Sequence, residues 1–311
     1  MNVIPMVPPQ ETKGECCVCV KIFCVIGIIT LMKVLYDITR SVWKMFFQKA
    51  KDFKKEYGDG WVVISGGSDG IGLAFANEFL KRKMKICLIA RNENKLNTVK
   101  ATLQQKYPES IIKVITFDFN KQYNKEDINF LSDKFKNELD NNIAILYNNV
   151  GHVERGLLHE LKDEQVHNIL NINITATTFL TKIALFSMVK RQKSLIFFSG
   201  AVMGQMRFAT RQIYSSAKSY IESFSECLER EYPNIDFTCF NIGPVYSNFN
   251  RAKMPFMETP ESFAEQAINK LGYHGFTSGT IKHEIFWFMF WYIPLIKGIM
   301  HKKMSAKPKI E

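Results

Sequence analysis

The chain has 311 residues, of which 46% are hydrophobic, enough for one full α/β domain with a sizeable core. Its net charge of +11 calls for an acidic partner or surface. The lysines are scattered and form no aromatic-interleaved basic stripe, which excludes nucleic acid and leaves a membrane surface. Of the seven cysteines, Cys16, Cys17, Cys19 and Cys24 crowd one N-terminal apolar segment, so no disulfide framework is expected. Cys16 and Cys19 have CxxC spacing without a second ligand pair, and the six histidines show no metal-ligand spacing; no metal is expected. The N-terminal cysteines read as small apolar filler, with reversible acylation as the alternative.

In chain order, Val18 to Tyr36 reads as a membrane segment, with Lys21 and Lys33 near its ends placed to snorkel. No small-residue cleavage site follows, so a removable signal peptide is not expected. Asp37 to Tyr57 reads as an amphipathic linker helix, basic through Arg40, Lys44, Lys49, Lys51, Lys54 and Lys55, which by the positive-inside rule puts the following domain in the cytosol. Strands are expected near 61–65, 85–90, 111–117, 143–147, 194–199 and 235–241. Helices are expected over Gly70–Arg82, Glu93–Lys106, Lys125–Leu139, Lys162–Arg191, Ile213–Glu231 and Pro260–Leu271. This alternation predicts a Rossmann-type, doubly wound parallel sheet with helices on both faces and a ligand at the carboxyl edge. The expected organisation is a tail and membrane segment over 1–36, a linker over 37–57, a catalytic domain over 58–280 and an aromatic, basic tail over 281–311. In that tail, Ile285 to Ile296 reads as an interfacial or re-entrant segment.

Two motifs carry the chemistry. The glycine turn Ser65-Gly66-Gly67-Ser68-Asp69-Gly70-Ile71-Gly72 leads from a strand into a helix, an arrangement that aims backbone N–H groups and the helix's positive end at a pyrophosphate. Far downstream, Tyr214 and Lys218 lie four residues apart on one helical face, where an ammonium near a phenol lowers its pKa and readies it to give a proton to a carbonyl oxygen.

Together and in this order, these motifs resemble the short-chain dehydrogenase/reductase family. Ser65, Gly66, Gly70, Ile71 and Gly72 match its glycine turn, with Ser for the opening Thr, and Ser68 and Asp69 complete the cofactor loop. Asn148, Asn149 and Gly151, in Asn-Asn-Val-Gly, match a second cofactor-lining motif. The resemblance further implies Asp118 at the adenine, Val245 near the nicotinamide amide, and Asn173 supporting the proton path, with Asn171 a nearby competitor for that role. Arg91 ends the second strand at the position facing the adenine ribose, where an arginine suits a 2′-phosphate and so NADP(H). His152, after the Asn-Asn-Val-Gly turn, either borders the substrate or is an ordinary loop residue.

The chain departs from the family where a serine normally stands thirteen residues before the tyrosine. Here that residue is Ala201, and Ser199 is the nearby candidate to replace it. A second departure is Asn241-Ile-Gly-Pro-Val, in place of the usual Pro-Gly step. The membrane segment, the turn and the aromatic tail resemble the subgroup of membrane-bound very-long-chain 3-oxoacyl-CoA reductases and 17β-hydroxysteroid dehydrogenases. That subgroup implies an NADPH-dependent oxidoreductase reducing a lipid-like ketone or acyl-CoA on the cytosolic face of the endoplasmic reticulum membrane, with a homodimer admitted. Lys307 and Lys309 match the dilysine retrieval pattern of that compartment. The alternative is a weakly active or inactive NADPH-binding scaffold.

Overall fold

The computed structural model describes residues 13–121, 123–246, 255–273, 275–293 and 298–299. The chain divides into two compact units, Met1–Gln48 and Lys49–Glu311. The first is one helix, α1 (Lys13–Phe46). Its stretch Val18–Phe46 is long and apolar enough to cross a membrane, and none of that stretch's apolar window is buried. The expected linker helix is split: α1 ends at Phe46, and a separate α2 (Phe53–Tyr57) opens on Asp52, whose carboxylate accepts from the Lys55 N–H. Phe53 and Tyr57 are buried in the second unit, where Tyr57 donates to Asp236 at 2.7 Å.

The second unit continues with β1 (Trp61–Ser65), α3 (Gly70–Lys81), β2 (Lys85–Ala90), α4 (Glu93–Lys106), β3 (Ile112–Thr116), α5 (Lys125–Leu139) and β4 (Ile143–Asn148). Then come α6 (Asp163–Leu170), α7 (Ala176–Met188), β5 (Ser194–Ser199), α8 (Val202–Met206), α9 (Gln212–Glu231), β6 (Ile235–Phe240), α10 (Pro260–Ala267), β7 (Gly275–Thr277) and α11 (Ile281–Tyr292). The strands form one parallel sheet ordered β3-β2-β1-β4-β5-β6-β7. Every residue of β1, β4, β5 and β6 is buried, as a sheet covered on both faces requires. Side chains alternate between the two cores. Val62, Ile64, Tyr147 and Phe197 join Phe75, Phe79 and Phe263 on one face. Val63, Leu146, Ile196 and Phe198 join Leu131, Leu180 and Ile221 on the other.

The strand order reverses between β1 and β4, and the carboxyl ends of those strands open a crevice where ligands bind in this architecture. The expected helix over 162–191 is interrupted by a π-helical turn at Asn171–Thr175 between α6 and α7. This run is long and apolar, but much of it is buried in the domain, so its hydropathy reflects the core. Helix α11 sinks Phe286 and Phe290 against Val202, Met206 and Phe208 and leaves Ile281, Ile285 and Trp291 exposed. The residues at 247–254 and the dilysine pair Lys307 and Lys309 lie outside the described residues.

Candidate active site

The crevice is a cavity of about 670 Å³ over the carboxyl ends of the strands, a size usual for small-molecule sites. Its floor begins at the glycine turn. Gly66 and Gly70 adopt φ of +65° and +52°, the left-handed region that glycine enters freely. Ser65 ties this turn to the next crossover: its hydroxyl donates to the Tyr147 carbonyl at 3.2 Å and accepts from the N–H groups of Asn149 and Val150 at 2.9 and 3.1 Å. Asn149 returns two bonds to the Ser65 and Gly66 carbonyls at 3.0 and 3.3 Å. Gly72 is not among this cavity's lining residues; a Cβ there would collide with the Gly66 carbonyl and with Asn149 Nδ2, so its smallness lets α3 pack onto the turn.

Gly66, Ser68, Asp69, Gly70, Ile71, Arg91, Asp118, Asn149, Gly151 and Val245 all face this cavity. Asp69 caps α3 by accepting from the Gly70 N–H at 2.7 Å, and its other oxygen pairs with Lys95 at 2.6 Å. Asn148 does not belong to the lining, contrary to expectation. It is buried, and its amide donates to Thr181 Oγ1 on α7 at 2.9 Å, because the sheet's alternation sends neighbouring side chains to opposite faces. The open glycine turn at a helix start, and an arginine where an acid would select the 2′-hydroxyl, fit a phosphorylated dinucleotide.

At the other end stand Tyr214 and Lys218, both buried on α9. Lys218 Nζ donates to the Ser199 carbonyl at 2.6 Å and lies 5.5 Å from the Tyr214 ring centroid. Burial pulls the Lys218 ammonium down to about 8. The expected lowering of the phenol by Lys218 is not what this geometry produces: burial pushes Tyr214 up, and the cation pulling it down is Arg211. A phenol held protonated is suited to giving a proton, which is what carbonyl reduction asks of it.

Asn173 lies on the π-helical turn, fully buried. Its amide donates to the carbonyls of His152 and Ile169 at 2.7 and 2.8 Å, and its oxygen accepts from the His152 N–H at 3.3 Å. A Cβ on Gly151 would sit 3.3 Å from Asn173 Oδ1 and 3.7 Å from Lys218 Nζ, so the bare glycine keeps the space between those groups open. Asn171 points elsewhere, donating to the Asn120 carbonyl at 3.5 Å. His152 also faces the cavity, with Nε2 2.8 Å from Glu154.

Ala201 and Ser199 both line the cavity. The Ser199 hydroxyl meets the Tyr147 hydroxyl at 2.8 Å and donates to Asn149 Oδ1 at 3.2 Å, so its one O–H donor is spent inside the protein. Ala201 precedes α8, which packs closely on α9: Ser219 Oγ donates to the Gly204 carbonyl at 2.7 Å.

Several lining residues carried no signal in the sequence. Arg211 opens α9, Phe286 comes from α11, and Met203, Met206 and Phe208 come from the stretch between β5 and α9. Behind the lining, His283 holds the departed turn with both ring nitrogens. Nδ1 accepts from the Gly243 N–H at 3.2 Å and Nε2 is 3.1 Å from the Pro244 carbonyl. Burial lowers its pKa, keeping the ring neutral.

A family model described as short chain dehydrogenase matches residues 60–257. The chain belongs to that family. This short-chain dehydrogenase is 31% identical over 277 residues to the Caenorhabditis elegans protein named "Putative steroid dehydrogenase 3", covering 84% of this chain and 85% of the relative. It is 32% identical over 254 residues to the very-long-chain 3-oxoacyl-CoA reductase of Macaca fascicularis, covering 79% and 78%. Those relatives bear out the subgroup resemblance. Among solved structures, L-sorbose reductase from Gluconobacter frateurii, complexed with NADPH and L-sorbose, superposes with a TM-score of 0.63 at 20% identity, over 72% of this chain and 96% of that one.

Proposed function

We propose that this short-chain dehydrogenase is an NADPH-dependent reductase of a ketone on a lipid-like substrate, either a 3-oxoacyl-CoA or a 17-ketosteroid. The observation that carries the reading is Tyr214 facing the cavity, its phenol kept protonated by burial, one helical turn from a Lys218 anchored on the Ser199 carbonyl. The apolar wall of Met203, Met206, Phe208 and Phe286 suits a hydrocarbon substrate, and the relatives' names support the same class.

NADPH, when bound, supplies the hydride. Arg91 and Asp118 would face its adenosine end, the N–H groups of the glycine turn its pyrophosphate, and Gly243 to Val245 its nicotinamide amide. Tyr214 gives its phenolic proton to the ketone oxygen. Lys218 would hold the ribose and, with Asn173, support return of a proton to the phenolate. The exposed apolar α1 supports attachment to the endoplasmic reticulum membrane, and the basic residues after it support a cytosolic domain. Leu170, Phe186 and Val189, exposed along and just beyond the α6–α7 run, support a homodimer contact.

The second reading, a scaffold that binds NADPH without turnover, is favoured by the Ala201 methyl where the family places a donor. Purified protein given NADPH and a panel of 3-oxoacyl thioesters and steroid ketones tests both. Loss of NADPH absorbance in the parent but not in Tyr214→Phe, with NADPH binding retained by the variant, is the expected result; a parent that turns over none of the panel leaves the scaffold.

A further inference from the structure

Among the described residues three cations border the cavity, and two have work in the proposed reaction: Arg91 at the adenosine end and Lys218 beside the tyrosine. The third is Arg211. It stands three residues before Tyr214 at the start of α9, so its side chain enters the cavity about one helical turn, roughly 5 Å along the axis, from the proton donor. It is half-buried, yet among the described residues no hydrogen bond or ion pair uses its guanidinium. The charged or titratable groups it feels are Arg155, of like sign, and the Tyr214 phenol. Burial and Arg155 both work against its charge, and among the described residues no acidic side chain offsets them. A cation held at such a cost in a cavity wall is matched by an acceptor from outside the protein.

We propose that Arg211 is the substrate-specificity residue of this site: its guanidinium holds a second acyl oxygen of the substrate, two carbons from the reacting ketone. This rests on the reductase reading above and narrows its substrate to 3-oxoacyl compounds. A 3-oxoacyl group carries its ketone at C3 and a carbonyl at C1, with the two oxygens close enough to be gripped from one side. With C3 at Tyr214, a donor one helical turn away faces C1. A 17-ketosteroid has no oxygen in that neighbourhood, and its other polar group lies at the far end of the ring system. The phosphates of CoA hang beyond the whole pantetheine arm and are poor occupants of a position beside the tyrosine. A planar guanidinium with five N–H donors is suited to bridging two neighbouring oxygens.

The test uses the full chain in detergent with NADPH and three probes of equal chain length: a 3-oxohexadecanoyl N-acetylcysteamine thioester, the free 3-oxo acid, and a C16 ketone lacking C1 oxygen. The parent should prefer the acyl probes over the plain ketone by about tenfold or more in kcat/KM, the worth of one charge-assisted hydrogen bond. Arg211→Gln should erase that preference, chiefly through KM. It should leave NADPH affinity unchanged and cost the plain ketone less than the acyl probes, and Arg211→Lys should restore part of the preference. The ranking of thioester against free acid tells which acyl oxygen is held. Equal losses on acyl and plain ketones would make Arg211 a support for Tyr214 and overturn the proposal, as would a parent without preference. If no probe is turned over, the reductase reading fails separately. Arg211 is then judged by equilibrium binding of the thioester and the plain ketone to the NADP⁺ complex. Tighter thioester binding that Arg211→Gln removes sustains it; equal binding overturns it.

Discussion

His283 gives the sharpest stability prediction. The ring is buried on α11, 5.6 Å between centroids from Phe263, and spans the Gly243–Pro244 step of the cavity wall. Nδ1 accepts a hydrogen bond from the Gly243 N–H, so Nε2 carries the ring's own proton toward the Pro244 carbonyl. Only the neutral ring does both. His283→Ala leaves the Gly243 N–H and the Pro244 carbonyl without their partner, at about 1–3 kcal/mol apiece, so a loss of about 2–6 kcal/mol is expected. The folded pKa lies below the ordinary histidine value, so the unfolded chain binds the extra proton first. The ring's contribution is therefore full above pH of about 6.5 and declines as pH falls, by at most about 1.4 kcal/mol per unit. Urea unfolding of parent and His283→Ala at several pH values from 8 down to 5 should show a gap that narrows on the acid side. The NADPH KM of the variant should rise, because the turn faces the cofactor end of the cavity. A gap constant across that range, or one under about 1 kcal/mol at neutral pH, would refute the argument.

Three other outcomes are expected. NADPH should bind more tightly than NADH by about tenfold or more, and Arg91→Asp should narrow or reverse the ratio in fluorescence titrations. Ala201→Ser should raise ketone turnover, by up to about a hundredfold if the oxyanion lacks a donor there. Lys218, charged below about 8, should give kcat/KM for reduction a basic limb in that region, displaced to higher pH in Lys218→Arg.

Most of the fold was legible because its strands are continuous apolar runs closed by charged or glycine-rich punctuation. Trp61–Ser65, Lys85–Ala90 and Ser194–Ser199 stand where the pattern put them. β7 escaped notice because Gly275–Thr277 is three residues long, begins on a glycine and pairs only with β6. The break at Asn171–Thr175 was invisible because a π-turn adds a residue without glycine, proline or a change in hydropathy. In the site, the motif residues were legible because glycine turns and a Tyr-Lys spacing are local. Arg211 and His283 were not: one is a single arginine before a motif, the other reaches Gly243 across forty positions of chain. The inward turn of Asn148 follows from sheet alternation, and strand register alone would have assigned it.

The position of Ser199 bears most on how the Ala201 departure is to be read. Hydrogen bonds run from the glycine turn to Lys218: Asn149 holds the Ser65 and Gly66 carbonyls, Ser199 donates to Asn149, and Lys218 donates to the Ser199 carbonyl. Ser199 is thus the joint between the glycine turn and Lys218, and its hydroxyl reaches a substrate oxygen only by leaving that joint. Ser199→Ala cuts the link to Asn149 and leaves Asn149 Oδ1 and the Tyr147 hydroxyl seeking partners, at a cost of about 1–3 kcal/mol. The loss should therefore appear in NADPH affinity as well as in turnover. An oxyanion donor has the opposite signature, with turnover falling and cofactor affinity unmoved. A Ser199→Ala variant that keeps parental NADPH binding while losing about a hundredfold in kcat would return the oxyanion role to this hydroxyl and remove it from the joint described here.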